Sequence, residues 1–157
     1  MAEAFAIFGS AASVISILDV LARATTTLLD LRSRWQDADT SLLSFTVQLG
    51  GLRAALIKIK DWMENYIDET HHQLVMDLGA SLQFCQILAV RIEKELENLL
   101  KLPDGKLSKA AKAKWLSKSG GLTEVQRMVD RQTSTLTLLL TACNRYDLYV
   151  SLINWQC

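Results

Sequence analysis

Three long stretches of the chain repeat apolar residues in alternating steps of three and four. One runs Leu42, Phe45, Leu49, Leu52, Leu56, Ile59, Met63, Tyr66. Another runs Val75, Leu78, Leu82, Cys85, Ala89, Ile92, Leu96, Leu99, and the last runs Leu122, Val125, Val129, Gln132, Leu136, Leu139, Cys143, Tyr146, Val150, Ile153. Such steps hold an apolar seam on one face of a helix and predict left-handed bundle packing. The opening segment, Ala4 to Leu18, is different. It carries no charge, and Phe5, Ile7, Phe8, Val14, Ile15, Ile17 and Leu18 do not fall on one stripe. That pattern predicts a helix that is either fully buried or able to leave water. At the start of the chain, its release from a bundle would break the fewest connections. No strand-type alternation of useful length occurs.

The breaks between these stretches agree with helices. Asp37, Asp39 and Thr40 mark the start of the second. Thr70 with Gln73, and Thr123 with Gln126, have the spacing of capping boxes for the third and last. Pro103-Asp104-Gly105 predicts a turn, and Ser119-Gly120-Gly121 a break before the last helix. Between them, roughly 108–117 reads as a short basic helix. The expectation is one all-α domain over 1–157, an antiparallel bundle of four long helices plus the short basic one. Gly50-Gly51 falls inside the second helix, where two glycines cost about 2 kcal/mol relative to alanine. Close helix approach, a kink, or a hinge that opens the bundle would account for them.

Composition sharpens this only in places. Half the residues (50%) are hydrophobic, there is one proline, and the formal net charge is zero. A neutral chain has no global bias towards nucleic acid or anionic surfaces. The charge is unevenly placed: Lys101, Lys106, Lys109, Lys112, Lys114 and Lys118 cluster around Asp104, and Asp61, Glu64, Asp68, Glu69 and Asp77 form an acidic stretch. The cysteines, Cys85, Cys143 and Cys157, are odd in number and lack metal-type spacing, which predicts free thiols in a reducing compartment. Glu3 stands where a signal peptide would be basic. The uncharged run from Ala4 to Leu18 would reach only about 22 Å, short of a roughly 30 Å hydrocarbon core. Extending it to Leu29 would carry Asp19 and Arg23 into lipid. A cytoplasmic protein with conditional membrane contact is expected.

No catalytic chemistry is legible. There is no phosphate-cradling glycine loop, no HExxH and no paired cysteine ligands. His71 and His72 are adjacent, so on a helix they point about 100° apart and cannot easily share a metal. No enzyme activity, cofactor, metal, small-molecule substrate or nucleic acid is expected. The segment Lys106 to Lys118 is either a solvated connection or a dock for anionic lipid, at about 1 kcal/mol per basic residue. Glu3 suits a helix N-terminus through the dipole, or a carboxylate ring if first helices cluster. Gln132 is the polar member of the last seam and is expected to fix register by hydrogen bonding. Cys85 and Cys143 read as small buried hydrophobes.

Two runs carry a family resemblance. Lys112-Ala113-Lys114-Trp115-Leu116 and Arg131-Gln132-Thr133-Ser134-Thr135-Leu136-Thr137-Leu138-Leu139-Leu140-Thr141 resemble the closing motif of the HeLo-like N-terminal domains of fungal STAND (NLR-like) proteins. Met1-Ala2-Glu3-Ala4, with Gly9, Ala11, Ala12 and Val14, is similar to that family's first helix. The resemblance implies an effector domain that oligomerises on activation, frees its first helix, permeabilises the plasma membrane and kills the cell. Trp115, Leu116, Gln132 and Leu136 would be its structural motif residues. The chain departs from some relatives in having only Gly9 where they carry a glycine zipper. Ala12, Ser13 and Ser16 give it a small-residue substitute. The rival function is a helical scaffold that recruits a partner protein and never inserts.

Overall fold

In the computed structural model the described backbone covers residues 2–34, 39–66, 72–101 and 120–154. Four helices make it up: α1 (Ala2–Arg34), α2 (Asp39–Tyr66), α3 (His72–Leu100) and α4 (Gly120–Asn154). Side chains are described over 12–34, 40–65, 73–101 and 120–145. The expected short basic helix at 108–117, the Pro103-Asp104-Gly105 turn, and Thr70 lie outside the described residues.

The apolar steps work as seams. Leu42, Phe45, Leu49, Leu52, Leu56, Ile59 and Met63 of α2 are all buried, joined by Ala55 and Trp62 on the flank. On α3, Leu78, Leu82, Cys85, Ala89, Ile92, Leu96 and Leu99 are buried with Leu88, while Val75 is half-buried. On α4, Leu122, Val125, Val129, Gln132, Leu136 and Cys143 are buried and Leu139 is half-buried. These residues form one core with Val14, Ile17, Val20, Leu21, Ala24, Leu28 and Leu31 of α1. A fully buried leucine or isoleucine contributes about 1.5–3 kcal/mol, so the seams are the main cohesive element.

The helices pack in a ring. α1 and α4 each lie against both α2 and α3, so α2 and α3 take opposite corners. Cross-helix contacts give the directions. Ser13 meets Gln86, and Arg23 meets Glu93; residue numbers rise together along α1 and α3. They also rise together along α2 and α4, where Ser41 meets Gln126 and Gln48 meets Asp130. Between α3 and α4 they run oppositely, with Ser81 at Gln132 and Glu95 at Gly121. Two of the packed pairs therefore run the same way.

Two local expectations are corrected. First, α1 is not apolar-and-buried all round where its side chains are described. Val14 and Ile17 are buried, Leu18 is half-buried, but Ile15 is 49% exposed. One stripe of a helix is enough to reach two neighbours, and Ile15 lies off it. Second, α4 starts at Gly120, so Gly120-Gly121 opens the helix rather than breaking the chain before it. Thr123 is already inside, and Gln126 reaches across to the Ser41 carbonyl instead of back to a cap. The Glu95 carboxylate of α3 lies against this first turn, so close that a Cβ on Gly121 would come within 2.6 Å of its Oε1. A carboxylate beside a helix N-terminus is favourable, and glycine lets it approach. The Gln73 Nε2 donates to Asp77 within α3, and the capping box expected for Thr70 with Gln73 lies outside the described residues.

The glycine pair of α2 sits within an unbroken helix. A Cβ on Gly50 would meet nothing within 4 Å, and one on Gly51 would lie 3.7 Å from Thr133 Cγ2, an ordinary contact. Neither position requires glycine for close approach.

Candidate functional site

The candidate membrane residues divide into three groups. Val14, Ile17 and Leu18 pack into or against the core, and Ile15 faces outward. Glu3, Phe5, Ile7 and Phe8 belong to the helical backbone of α1, but their side chains lie outside the described residues. Lys106, Lys109, Lys112, Lys114 and Lys118, with Trp115 and Leu116, also lie outside them. The structure thus brings together only the C-terminal half of the apolar run. There, Val14, Ile17, Leu21 and Leu28 lock α1 between α2 and α3.

Beyond that half, α1 is polar only on its outer side. Asp19, Ala22 and Arg23 are exposed, and Arg23 pairs with Glu93 of α3 at 2.9 Å. Thr25 and Thr26 donate to the carbonyls of Leu21 and Ala22, so neither hydroxyl needs water. By length and composition, Ala12–Arg34 is apolar enough to cross a membrane, although only 33% of its apolar window is buried in the bundle. The helix continues unbroken to Arg34, so a span of full length carries Asp19 and Arg23 with it, as the sequence indicates.

Gln132 makes the polar node of the core. Its Nε2 donates to the Ser81 carbonyl at 3.0 Å and to Ser81 Oγ at 2.6 Å, with Cys85 Sγ at 3.3 Å. Ser81 and Gln132 are both buried. A buried amide without partners costs about 1–3 kcal/mol, so these contacts favour the observed alignment of α3 and α4 at this level. Leu136 is buried one turn further on. The Ser/Thr-rich run around them needs a separate account, because β-branched threonines are poor helix formers. Thr133, Ser134, Thr135, Thr137 and Thr141 each donate to the carbonyl four residues back. This satisfies the hydroxyls without breaking the helix.

The chain matches no known family model, no curated protein and no solved structure. Function therefore has to be argued from the residues and their placement.

Two features were missed from the sequence. α2 carries a second apolar stripe on its outer side: Leu43, Val47, Gly50, Ala54 and Ile57 are all exposed, Val47 at 67%. α3 carries another: Met76, Ala80, Phe84, Ile87 and Val90 are exposed around the exposed Gln83, Ile87 at 63% and Val90 at 67%. Each stripe lies on the opposite side of its helix from the core seam. The signal was available as a second series in steps of three and four, out of phase with the first. Reading only the stronger series hid it. Contiguous exposed apolar residues on this scale mark interaction surfaces more often than single ones do. Among the described residues, no group of three His, Cys, Asp or Glu is placed to hold a metal.

Proposed function

We propose that this chain is a non-enzymatic effector domain of a fungal NLR-like (STAND) receptor, of the HeLo-like kind. It rests in the cytoplasm, forms homo-oligomers when activated, and targets the plasma membrane through the apolar start of α1 to cause regulated cell death. The fuller architecture in this reading is an antiparallel bundle, successive helices alternating in direction, with a short basic helix at 108–117 whose lysines dock on anionic lipid.

The observation that carries the proposal is the double character of α1. By length and composition its segment Ala12–Arg34 is apolar enough to cross a membrane, yet a single stripe holds it in the bundle. Magnitudes set the balance. Extracting the stripe into water would cost about 1.5–3 kcal/mol per large side chain, which keeps the resting bundle closed. Lipid removes that cost, because both environments are apolar. Against insertion stand Asp19 and Arg23, at about 2.5–3.5 kcal/mol each near the centre of a bilayer. Surrendering the exposed Arg23–Glu93 pair adds little. Clustering, which places several helices and lysine segments at one surface, tips the sum.

The test is leakage from anionic vesicles when the protein is clustered through a fused dimerising tag. Wild-type protein should release dye, and Phe5→Asp should not, with its melt unchanged. The scaffold alternative is favoured by one observation, the burial of Val14, Leu21, Leu28 and Leu31 in the core. Clustered wild-type protein that never leaks, over anionic and neutral lipid, decides for the scaffold.

A further inference from the structure

We infer that α2 and α3 form a second membrane-active element, a helical hairpin that enters the bilayer when the bundle opens. It is separate from α1 and rests on an independent observation. Both helices are apolar on two opposite sides. Their seams face the core, and their outer stripes face water, Leu43, Val47, Gly50, Ala54 and Ile57 on one, Met76, Ala80, Phe84, Ile87 and Val90 on the other. A helix that only builds a soluble bundle needs one apolar stripe. A helix apolar on two opposite sides suits lipid, where seam and outer stripe are equally well solvated, with Ser41, Ser44 and Arg53 of α2 and Gln83 and Gln86 of α3 as the exposed polar residues between them.

Length agrees. Thr40–Asn65 and Gln73–Leu100 are each long and apolar enough to cross a membrane, with 39% and 33% of their apolar windows buried in the bundle. Among the described residues, α4 holds no candidate span. Its outer side carries Thr123, Arg127, Asp130, Arg131, Ser134 and Thr135.

The charges agree as well. Thr40 to Ile57 contains one charged residue, Arg53, and Gln73 to Val90 contains one, Asp77. The chain joining these windows, 58–72, is rich in charge, with Lys58, Lys60, Asp61, Glu64, Asp68 and Glu69, although Ile59, Trp62 and Met63 within it are core residues of the closed bundle. Arg53 lies five residues inside Lys58, and Asp77 five residues inside His72. In a hairpin whose joining segment lies at one face of the membrane, the two are at the same depth and of opposite sign, about 7.5 Å in at 1.5 Å per residue. Paired charges are the form in which ionisable groups are tolerated there. In the closed bundle both are exposed, and Asp77 accepts from Gln73. The two helices occupy opposite corners, so they pair only after the bundle opens.

The outer stripes make the test clean, because substitution there leaves the core intact. Clustered full-length protein is added to dye-loaded vesicles of anionic and neutral lipid, and protease is then applied from outside. The hairpin predicts that Val47→Glu and Ile87→Glu each melt like wild type but lower leakage by about 100-fold, the insertion cost of a charge. A fragment covering residues 40–90 should resist protease while α4 is digested. Asp77→Lys should lose leakage, and Arg53→Glu with Asp77→Lys should restore it. Wild-type leakage in both outer-stripe variants, with Phe5→Asp inactive, would overturn the hairpin and leave the α1 reading standing. The converse pattern would remove α1 and leave the hairpin. Loss of self-association in solution by Val47→Glu and Ile87→Glu, with the 40–90 region digested in wild type, would overturn the hairpin in favour of contact between copies.

Discussion

α3 and α4 pack against each other with nearly matching inner faces, yet their outer faces differ in kind. Outside α3 stand Met76, Phe84, Ile87 and Val90. Outside α4, Leu138 is the only exposed large hydrophobic residue among those described, within a run of self-bonded threonines and serines. The inner faces answer to one requirement, filling a shared core. The outer faces answer to whatever surrounds each helix, and for α3 water alone does not explain the choice. α2 sides with α3 in this respect.

The largest effects should come from the shared inner faces. Leu136→Ala on α4 and Leu52→Ala on α2 each remove a fully buried side chain and should cost about 2–5 kcal/mol. Denaturant or thermal melts read this directly. If either substitution leaves the melt in place, the seams are not what holds the bundle. Next comes the polar node. Gln132→Ala removes the donor to Ser81 and leaves a gap between α3 and α4, for a loss of about 1–3 kcal/mol. Gln132→Leu separates the two terms by refilling the volume without the hydrogen bonds. A leucine variant as stable as wild type but with broadened amide spectra for α3 and α4 would assign the glutamine to alignment rather than to strength.

The inner faces were the legible part of the chain. Steps of three and four from Leu42 to Met63 and from Leu78 to Leu99 name almost the whole seam, because a core accepts only the side facing it. Other features depended on neighbours that a one-dimensional pattern does not contain. In the first turn of α4 a carboxylate from α3 lies against Gly121, and nothing local to Thr123 or Gln126 reports Glu95. Ile15 looks like its buried neighbours Val14 and Ile17 until the ring of helices decides which stripe of α1 is used. The outer stripes were visible as letters but overshadowed by the stronger seam. For Glu3, Phe5, the lysine segment and Trp115, the sequence reading stands on its own, since they fall outside the described side chains.

A smaller effect, of opposite sign, is expected at the glycine pair. Gly50→Ala meets open space and removes a helix-interior glycine, so it should stabilise by about 1 kcal/mol. Gly51→Ala should gain no more than that, since its methyl would only touch Thr133 Cγ2. Both measurements bear on function. If the stabilised variants still leak from vesicles at wild-type rate, the glycines are not a hinge for opening.

The smallest stability effect is the one that separates the two helices most sharply. Ile87→Glu on α3 and Leu138→Glu on α4 replace residues that are 63% and 71% exposed. Neither change reaches the core, so each should shift stability by no more than about 0.5 kcal/mol. On stability alone the two outer faces are therefore equivalent, and a glutamate is as acceptable as the apolar residue. Vesicle leakage should not treat them alike. Ile87 lies on a stripe that would be immersed in lipid, whereas Leu138 sits among hydroxyls and charges on a helix outside the candidate spans. The pair thus isolates what the apolar residues of α3 are for. A melt lowered by Ile87→Glu as much as by a core truncation would mean that this face is covered in the folded protein. Equal leakage from both variants would leave the contrast between α3 and α4 without a functional consequence.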